Sequence, residues 1–413
     1  MTFETLSVIG LGYIGLPTAA TFASRGLKVI GVDVNPNAVE IINNGGIHII
    51  EPDLDILVHS VVTTGNLRAT LKPEPADAFI VAVPTPFKED KQPDLKYIES
   101  AAKSIAPVLR KNNLVILEST SPVGATEQMA AWLAEARPDL TFPQHAGDKA
   151  DICIAHCPER VLPGKVLEEL IHNDRVIGGI TPRCSENAAN LYKLFVQGEC
   201  VITNARTAEM CKLTENSFRD VNIAFANELS IICEKLDINV WDLIKLANRH
   251  PRVKILQPGP GVGGHCIAVD PWFIVSSAPN QARLIKTARE VNDSKPQWVI
   301  SRVEQEVLRF LKEHPSKTMS GITVACFGLA FKPDIDDLRE SPALEITETL
   351  AAKYPFHVVA VEPNITMDKV GDITVTTTDK ALEADVLVLL VDHSLFKSIN
   401  PKSSYVVDTR GIW

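Results

Sequence analysis

The chain has 413 residues, 45% of them hydrophobic and 22% charged, with a formal net charge of −10. This length exceeds one ordinary domain, and the balance describes a globular chain with a sizeable core, not a disordered or low-complexity one. The acidic sum disfavours nonspecific binding to nucleic acid or to an anionic membrane surface, and no apolar run approaches the ~20 residues of a bilayer span.

The N-terminus lacks the basic start and small-residue cleavage site of a secretory signal, so the expected location is cytoplasmic, with no nucleic-acid partner and no membrane insertion. Eight scattered cysteines fit reduced thiols in such a compartment. Cys153 and Cys157 lack a second pair at zinc-like spacing, so they read as structural and no metal is expected.

In chain order, apolar β-like runs at 6–10, 27–33, 78–83 and 114–120 alternate with helical patterns, the sequence form of a parallel sheet with crossover helices. Gly10-Leu-Gly-Tyr-Ile-Gly15 follows the first run and opens a helical pattern. Glycines at this spacing permit a tight turn, backbone approach to a pyrophosphate and close helix packing. Asp33 ends the next run, where a carboxylate accepts hydrogen bonds from a ribose diol and repels a 2′-phosphate, so NAD is expected in preference to NADP. Thr85 and Thr120 end later runs and read either as cofactor contacts or as helix caps. Further strand-like runs lie at 151–155, 175–180 and 200–203.

From 205 to 236 there is neither Pro nor Gly, which predicts one long connecting helix. Helical patterns follow at 240–247, 281–292 and 297–312, giving an all-helical middle of a kind that often forms a subunit interface. Within the long helix Lys212, Asn216 and Arg219 share one face, continued by Ile223 and Asn227. Leu213, Phe218, Ala224 and Phe225 predict burial over much of the remaining circumference, so a lysine held there reads as functional.

The glycine-rich interruption is Gln257-Pro-Gly-Pro-Gly-Val-Gly-Gly-His-Cys-Ile-Ala-Val-Asp270. Two prolines and four glycines between 258 and 264 suit neither helix nor strand; they shape a loop around a ligand and present Cys266 at its end. A thiol is a nucleophile as its thiolate. Asp270, four residues on, shares its face if a helical turn forms. Cys153, Cys184, Cys200, Cys233 and Cys326 read as buried and inert. Beyond 316 the alternation resumes at 323–328, 357–362, 385–391 and 405–408, a second α/β domain without a Gly-x-Gly-x-x-Gly pattern.

With these residues in hand, the chain resembles the UDP-glucose/UDP-N-acetylhexosamine dehydrogenase family over nearly its whole length. The markers are Gly10 to Gly15, Glu118-Ser-Thr-Ser-Pro-Val-Gly124, Cys157-Pro-Glu-Arg160, Glu209-Met-Cys-Lys-Leu-Thr-Glu-Asn216, Gly263-Gly-His-Cys266 and Phe327-Gly-Leu-Ala-Phe-Lys332. The resemblance implies an α/β fold of two Rossmann-like parallel-sheet domains, 1–204 and 315–413, joined by a helical region, 205–314, and a dimer or higher oligomer; with the helical middle as interface, a homodimer through that region is expected. It implies oxidation of a sugar C6 alcohol to a carboxylate with two NAD, through a thiohemiacetal and a thioester on Cys266.

By the same resemblance Lys212 and Asn216 attend the reacting oxygen, and Asp270 and Glu159 are the acid/base groups. Tyr13, Ile14 and Thr126 join the cofactor contacts. Arg160, Val161, Lys212, Asn216, Arg219, His250, Arg252 and Gly263, with Phe331, Lys332 and Arg339 from the second α/β domain, contact the UDP-linked sugar. His265, Val269 and Pro163 depart from the UDP-glucose branch and match the N-acetylhexosamine branch. The substrate expected from this resemblance is UDP-N-acetylmannosamine, with the N-acetylglucosamine and glucose compounds as competitors. A two-electron β-hydroxyacid dehydrogenase of the 6-phosphogluconate type and a non-catalytic nucleotide sensor are the remaining alternatives. An epimerase is disfavoured because no tyrosine has Lys four residues later.

Overall fold

The computed structural model describes residues 3–88, 91–162, 164–264 and 266–413. The chain forms two compact units, Met1–Glu215 with Trp272–Ala278, and Asn216–Pro271 with Pro279–Trp413. The helical middle and the last α/β segment therefore belong largely to one unit.

In chain order the first unit contains β1 (Thr5–Ile9), α1 (Gly15–Ser24), β2 (Lys28–Val32), α2 (Pro36–Asn43), α3 (Leu54–Thr63), β3 (Leu67–Thr70), β4 (Ala78–Val81), α4 (Lys96–Ile105) and β5 (Leu114–Leu117). It continues through α5 (Ala125–Ala136), α6 (Pro143–Ala146), β6 (Cys153–His156), α7 (Val166–His172), β7 (Arg175–Gly179), α8 (Pro182–Tyr192) and β8 (Cys200–Asn204) into α9 (Ala205–Lys235). The sheet order is β3-β2-β1-β4-β5-β6-β7-β8. Helices cover both faces, so β4 and β5 are wholly buried and read as unbroken apolar runs. Successive side chains feed opposite cores: Val8 and Ile80 one, Ile9 and Val81 the other.

Two features depart from the sequence reading. The edge strand β3, Leu-Arg-Ala-Thr, alternates buried and exposed and has no apolar run to mark it. The sheet is also not wholly parallel, because β7 pairs antiparallel with β6, Ala155 opposite Gly179 and His156 opposite Gly178. Continued past the strand ends, this register sets Glu159 opposite Arg175.

The second unit takes most of α9, α10 (Val240–Ala247), the start of α11 (Asp270–Ser277) and α12 (Arg283–Glu313). Its sheet contains β9 (Thr323–Phe327), β10 (His357–Val361), β11 (Lys369–Val370), β12 (Ile373–Val375), β13 (Val386–Leu389) and β14 (Val406–Asp408), with α13 (Pro342–Lys353) and α14 (Thr378–Ala381) between strands. The order is β11-β12-β10-β9-β13-β14, parallel except for β11.

The sequence predicts two helices where α12 is one, running through Pro296. Proline removes a hydrogen bond and costs about 3 kcal/mol inside a helix. Buried contacts on both sides of it oppose that cost: Asn292, Lys295 and Val299 are all nearly inaccessible. Lys295 donates to Ser230 Oγ on α9 at 2.5 Å and stands 3.5 Å above the Trp298 ring. Burial pushes its ammonium down to about 7.

On α9, Leu213 and Ala224 are buried as expected. Phe218 and Phe225 are not; they stand 71% and 52% exposed, because the helix packs on one side only within its unit. Among the described residues no helix is long and apolar enough to cross a membrane, and no cluster of three or more His, Cys, Asp or Glu is placed to hold a metal ion.

Candidate active site

The first βα turn is built by three glycines with three different reasons. Gly10 has φ +92°, and a Cβ there would lie 2.5 Å from the Ala82 carbonyl oxygen; a Cβ on Gly15 would lie 1.8 Å from that of Gly10. Both are therefore required by the protein's own packing. Gly12 meets nothing within 4 Å. Its missing side chain answers no intramolecular contact and leaves open backbone where a pyrophosphate would approach, beside the N-terminus of α1, which has no side-chain cap.

Asp33 accepts from the Leu11 amide at 2.9 Å and, through its other oxygen, from the Asn35 amide at 2.9 Å, which fixes the carboxylate at the carboxyl edge. The Thr85 hydroxyl is buried without a partner, as a cofactor contact requires. These residues fit NAD. Thr126 is committed elsewhere: its amide and hydroxyl both donate to Glu209 of α9, at 2.7 and 2.6 Å, and Gly124 adds a third bond at 2.6 Å. Glu209, buried and missed in the sequence reading, thus caps the start of α5.

Gly12→Ala and Gly15→Ala separate these roles. Gly15→Ala is expected to lose about 1–3 kcal/mol of stability from overpacking. Gly12→Ala is expected to melt like wild type and lose about tenfold or more in NAD affinity, since its φ lies outside the left-handed region and no protein atom lies within 4 Å of its Cβ. Thermal melts and NAD titrations of both variants check this.

Glu159 sits in a buried ion pair, 2.9 Å from Arg175 Nη1, and also accepts from the Arg160 amide at 2.6 Å. Glu118, fully buried, is raised to about 7 by loss of hydration and by the Glu159 charge, against the pull of Arg175. Tyr192 donates to it at 2.9 Å. One guanidinium thus serves two carboxylates, and Glu159 is fixed as the anchor of the segment after β6. Arg160 pairs with Glu215 at 2.6 Å, and Val161 packs on the sheet core. Glu51, also unforeseen, accepts from Gly164 and Val166 amides at 2.9 and 2.8 Å and holds the following turn.

In the second unit the glycine-rich loop presents Cys266. Of the eight cysteines, five are buried and two half-buried, and Cys266 is the exposed one. Burial raises Cys157 to about 12, which makes it inert. The Cys266 carbonyl accepts from the Val269 and Asp270 amides at 3.1 and 2.9 Å, so the chain turns directly into α11. Asp270 is buried and accepts from Asn216 Nδ2 at 2.5 Å. Lys212 stands one turn earlier on α9.

The same loop rests on the segment after β9. The Gly264 amide donates to the Glu340 carbonyl at 3.3 Å, and a Cβ on Gly263 would lie 2.8 Å from Phe331 Cβ. The structure therefore brings Gly263 and Phe331 together. Lys332 and Arg339 are exposed on this segment, Arg339 beside Asp337 at 2.7 Å. His250 and Arg252 lie exposed on a turn closed by Asn248, which exchanges two hydrogen bonds with Ile255. Arg219 is exposed on α9. His265 and Pro163 lie outside the described residues.

The second sheet repeats the turn of the first, which the absence of a Gly-x-Gly-x-x-Gly pattern conceals. Gly328 has φ +92° like Gly10, and Glu362 accepts from the Leu329 amide at 2.8 Å as Asp33 does from Leu11. Glu362 is sealed in, however, by His393 Nε2 at 3.1 Å. Hydrogen bonds from His393 and two backbone amides outweigh burial and hold its carboxyl below the ordinary range. Arg410 is a further residue the sequence did not single out: a Cβ on Gly259 would lie 2.6 Å from its Nη1.

A dinucleotide turn, an exposed thiol on a glycine-rich loop, and a second sheet that buttresses that loop define a nucleotide-sugar dehydrogenase, and the chain belongs to the UDP-glucose/GDP-mannose dehydrogenase family. Residues 4–196 match its NAD binding domain, 206–294 its central domain and 325–413 its UDP binding domain. The chain is 66% identical to the UDP-N-acetyl-D-mannosamine dehydrogenase of Yersinia pestis, with full coverage of both. It is 61% identical to the NDP-N-acetyl-D-galactosaminuronic acid dehydrogenase of Ralstonia solanacearum, over 100% of this chain and 96% of that one. The solved UDP-D-ManNAc dehydrogenase of Pyrococcus horikoshii superposes with a TM-score of 0.87 at 38% identity, covering 99% and 96% of the two chains.

Proposed function

We propose that this enzyme oxidises the C6 alcohol of UDP-N-acetyl-D-mannosamine to the carboxylate, with Cys266 as covalent catalyst. The single observation that carries the chemistry is an exposed thiol at the end of a loop whose glycines are shaped by contact with their neighbours. The 66% identity to the Yersinia pestis enzyme supports the sugar. The 61% identity to a galactosaminuronate-type enzyme makes a second N-acetylhexosamine the competing substrate.

Bound NAD supplies the hydride acceptor for both oxidations. Lys212 holds the C6 oxygen as charge develops or relays the hydroxyl proton onward to water, with Asn216 alongside. Cys266 adds to the resulting aldehyde carbon, forming a C–S bond while the carbonyl oxygen gains a proton. Loss of the second hydride turns this thiohemiacetal into a thioester. Water then adds, the C–S bond breaks and the thiol is restored; the sum is alcohol, water and two NAD giving carboxylate, two NADH and three protons.

Asp270, held by Asn216, and Glu159, paired with Arg175, are assigned as the acid/base groups around the water and the thioester, and Arg160 and Val161 to the nucleotide sugar. Thr85, Thr120 and Thr126 are assigned to the cofactor, Thr126 through the start of α5 that Glu209 holds. The other assigned cofactor contacts are Tyr13, Ile14 and Asp33. Arg219, His250, Arg252, Gly263, Phe331, Lys332 and Arg339 complete the sugar-nucleotide contacts. In functional terms the chain is divided into 1–204, 205–314 and 315–413.

An apolar stripe of Phe218, Phe225 and Ile232, spaced by seven residues along α9 and all exposed, supports a homodimer through the helical region. The reactive thiol supports a reducing, cytoplasmic setting. The test of the reaction is NADH released per nucleotide sugar consumed, across the UDP-N-acetylmannosamine, UDP-N-acetylglucosamine, UDP-N-acetylgalactosamine and UDP-glucose series. Two NADH, with highest kcat/KM for the mannosamine compound, is expected; one NADH would support a two-electron dehydrogenase.

A further inference from the structure

Among its described residues the thiol loop has no helix or strand, so its geometry depends on what holds its backbone. At its far end Asp270 is held by Asn216. At its near end the Gly259 amide donates to Asn227 Oδ1 at 2.9 Å. Both asparagines belong to α9. They are eleven residues apart, which is about 16 Å along the axis and close to three full turns, so they lie on nearly the same face. One helix face thus grips the loop on both sides of Cys266.

The sense of the Asn227 amide is fixed by a charge. Arg289 Nη1 pairs with Asp220 Oδ1 at 2.6 Å. Asn292 must turn its NH2 toward Asp220, donating to its carboxylate at 2.8 Å and to its carbonyl at 3.1 Å. This leaves the Asn292 oxygen to accept from Asn227 Nδ2 at 2.9 Å, and Asn227 can then offer only its oxygen to the loop. All four residues are essentially inaccessible to solvent.

We propose that Asn227 is a positioning residue for the nucleophile: it fixes the start of the loop in the register that presents Cys266, and Asn292, Asp220 and Arg289 fix Asn227. The inference rests on the covalent role given to Cys266 above. Nothing in the reaction touches Asn227 itself. Misplacing a reacting group by about 1 Å can cost about 10²-fold in rate.

The test uses the full-length enzyme with Asn227→Leu, which removes the acceptor, and Asn227→Asp, which keeps it. Steady-state kcat and KM, NAD affinity, melting temperature and the rate of Cys266 alkylation by iodoacetamide, followed on its peptide by mass spectrometry, are compared with wild type. The expected result is a kcat about 10²-fold lower for Asn227→Leu, KM for the nucleotide sugar and NAD affinity within about threefold of wild type, an altered alkylation rate, and partial recovery in Asn227→Asp. Wild-type kcat and alkylation in Asn227→Leu would overturn the proposal. So would equal collapse of both variants with loss of NAD binding, which marks a general folding role. Cys266→Ser run beside them isolates the chemical reading: if it turns over normally, covalent catalysis fails while the alkylation comparison still decides whether Asn227 places the thiol.

Discussion

Cys266→Ser is expected to bind NAD and the nucleotide sugar with near wild-type affinity and to lose at least about 10³-fold in acid production, because the second oxidation has no sulfur adduct to proceed from. A hydroxyl is a far weaker nucleophile than a thiolate at neutral pH, and the change is otherwise nearly isosteric. Folding should be unaffected, since the Cys266 side chain is exposed and its backbone carbonyl, not its sulfur, receives the turn's two amides. A single-turnover experiment should yield no more than one NADH per active site. Equilibrium binding, NADH release and uronic acid formation are read on the same preparation.

Lys212→Ala carries the second large effect, a fall of about 10²- to 10³-fold in kcat. An ammonium directed at an oxygen that gains charge only as the hydride leaves stabilises the transition state more than the bound alcohol. Removing it should lower kcat and kcat/KM together, with little change in KM. An enlarged isotope effect with C6-deuterated substrate would accompany this if the oxidation becomes rate-limiting. A raised KM with unchanged kcat would mean that Lys212 holds substrate and takes no part in the chemistry.

Much of this architecture is legible in the sequence because its signals are local. The turn Gly10 to Gly15 with Asp33, the Pro- and Gly-free stretch that becomes α9, and the glycine-rich approach to Cys266 each demand one backbone geometry. What stays hidden depends on partners far along the chain. Phe218 and Phe225 look like core residues by composition, yet both stand more than half exposed. Pro296 looks like a helix break, yet packing carries α12 across it. The reversal of β7 and the Glu159–Arg175 pair follow from register, which no single run reveals. Glu209, Glu51 and Asn227 act through a hydrogen bond to a backbone amide 83, 113 or 32 residues away, and such bonds leave no motif.

The repeated turn at Gly328 shows the same limit from the other side. Its backbone conformation matches that at Gly10, but Gly12 and Gly15 have Ala330 and Pro333 as counterparts, and His393 closes the carboxylate that would otherwise face a ribose. The shared geometry is a property of how a strand enters the next segment. The pyrophosphate glycine is a property of the ligand, and only the first sheet has it.

The most direct measurement is rapid-quench mass spectrometry of the Cys266 peptide during turnover with UDP-N-acetyl-D-mannosamine and NAD. A uronyl adduct should rise on Cys266 within the first turnover and decay as acid is released, with no adduct on the other cysteines. Formation of acid and two NADH at full rate while every cysteine peptide remains unmodified at all quench times would contradict covalent catalysis by this thiol.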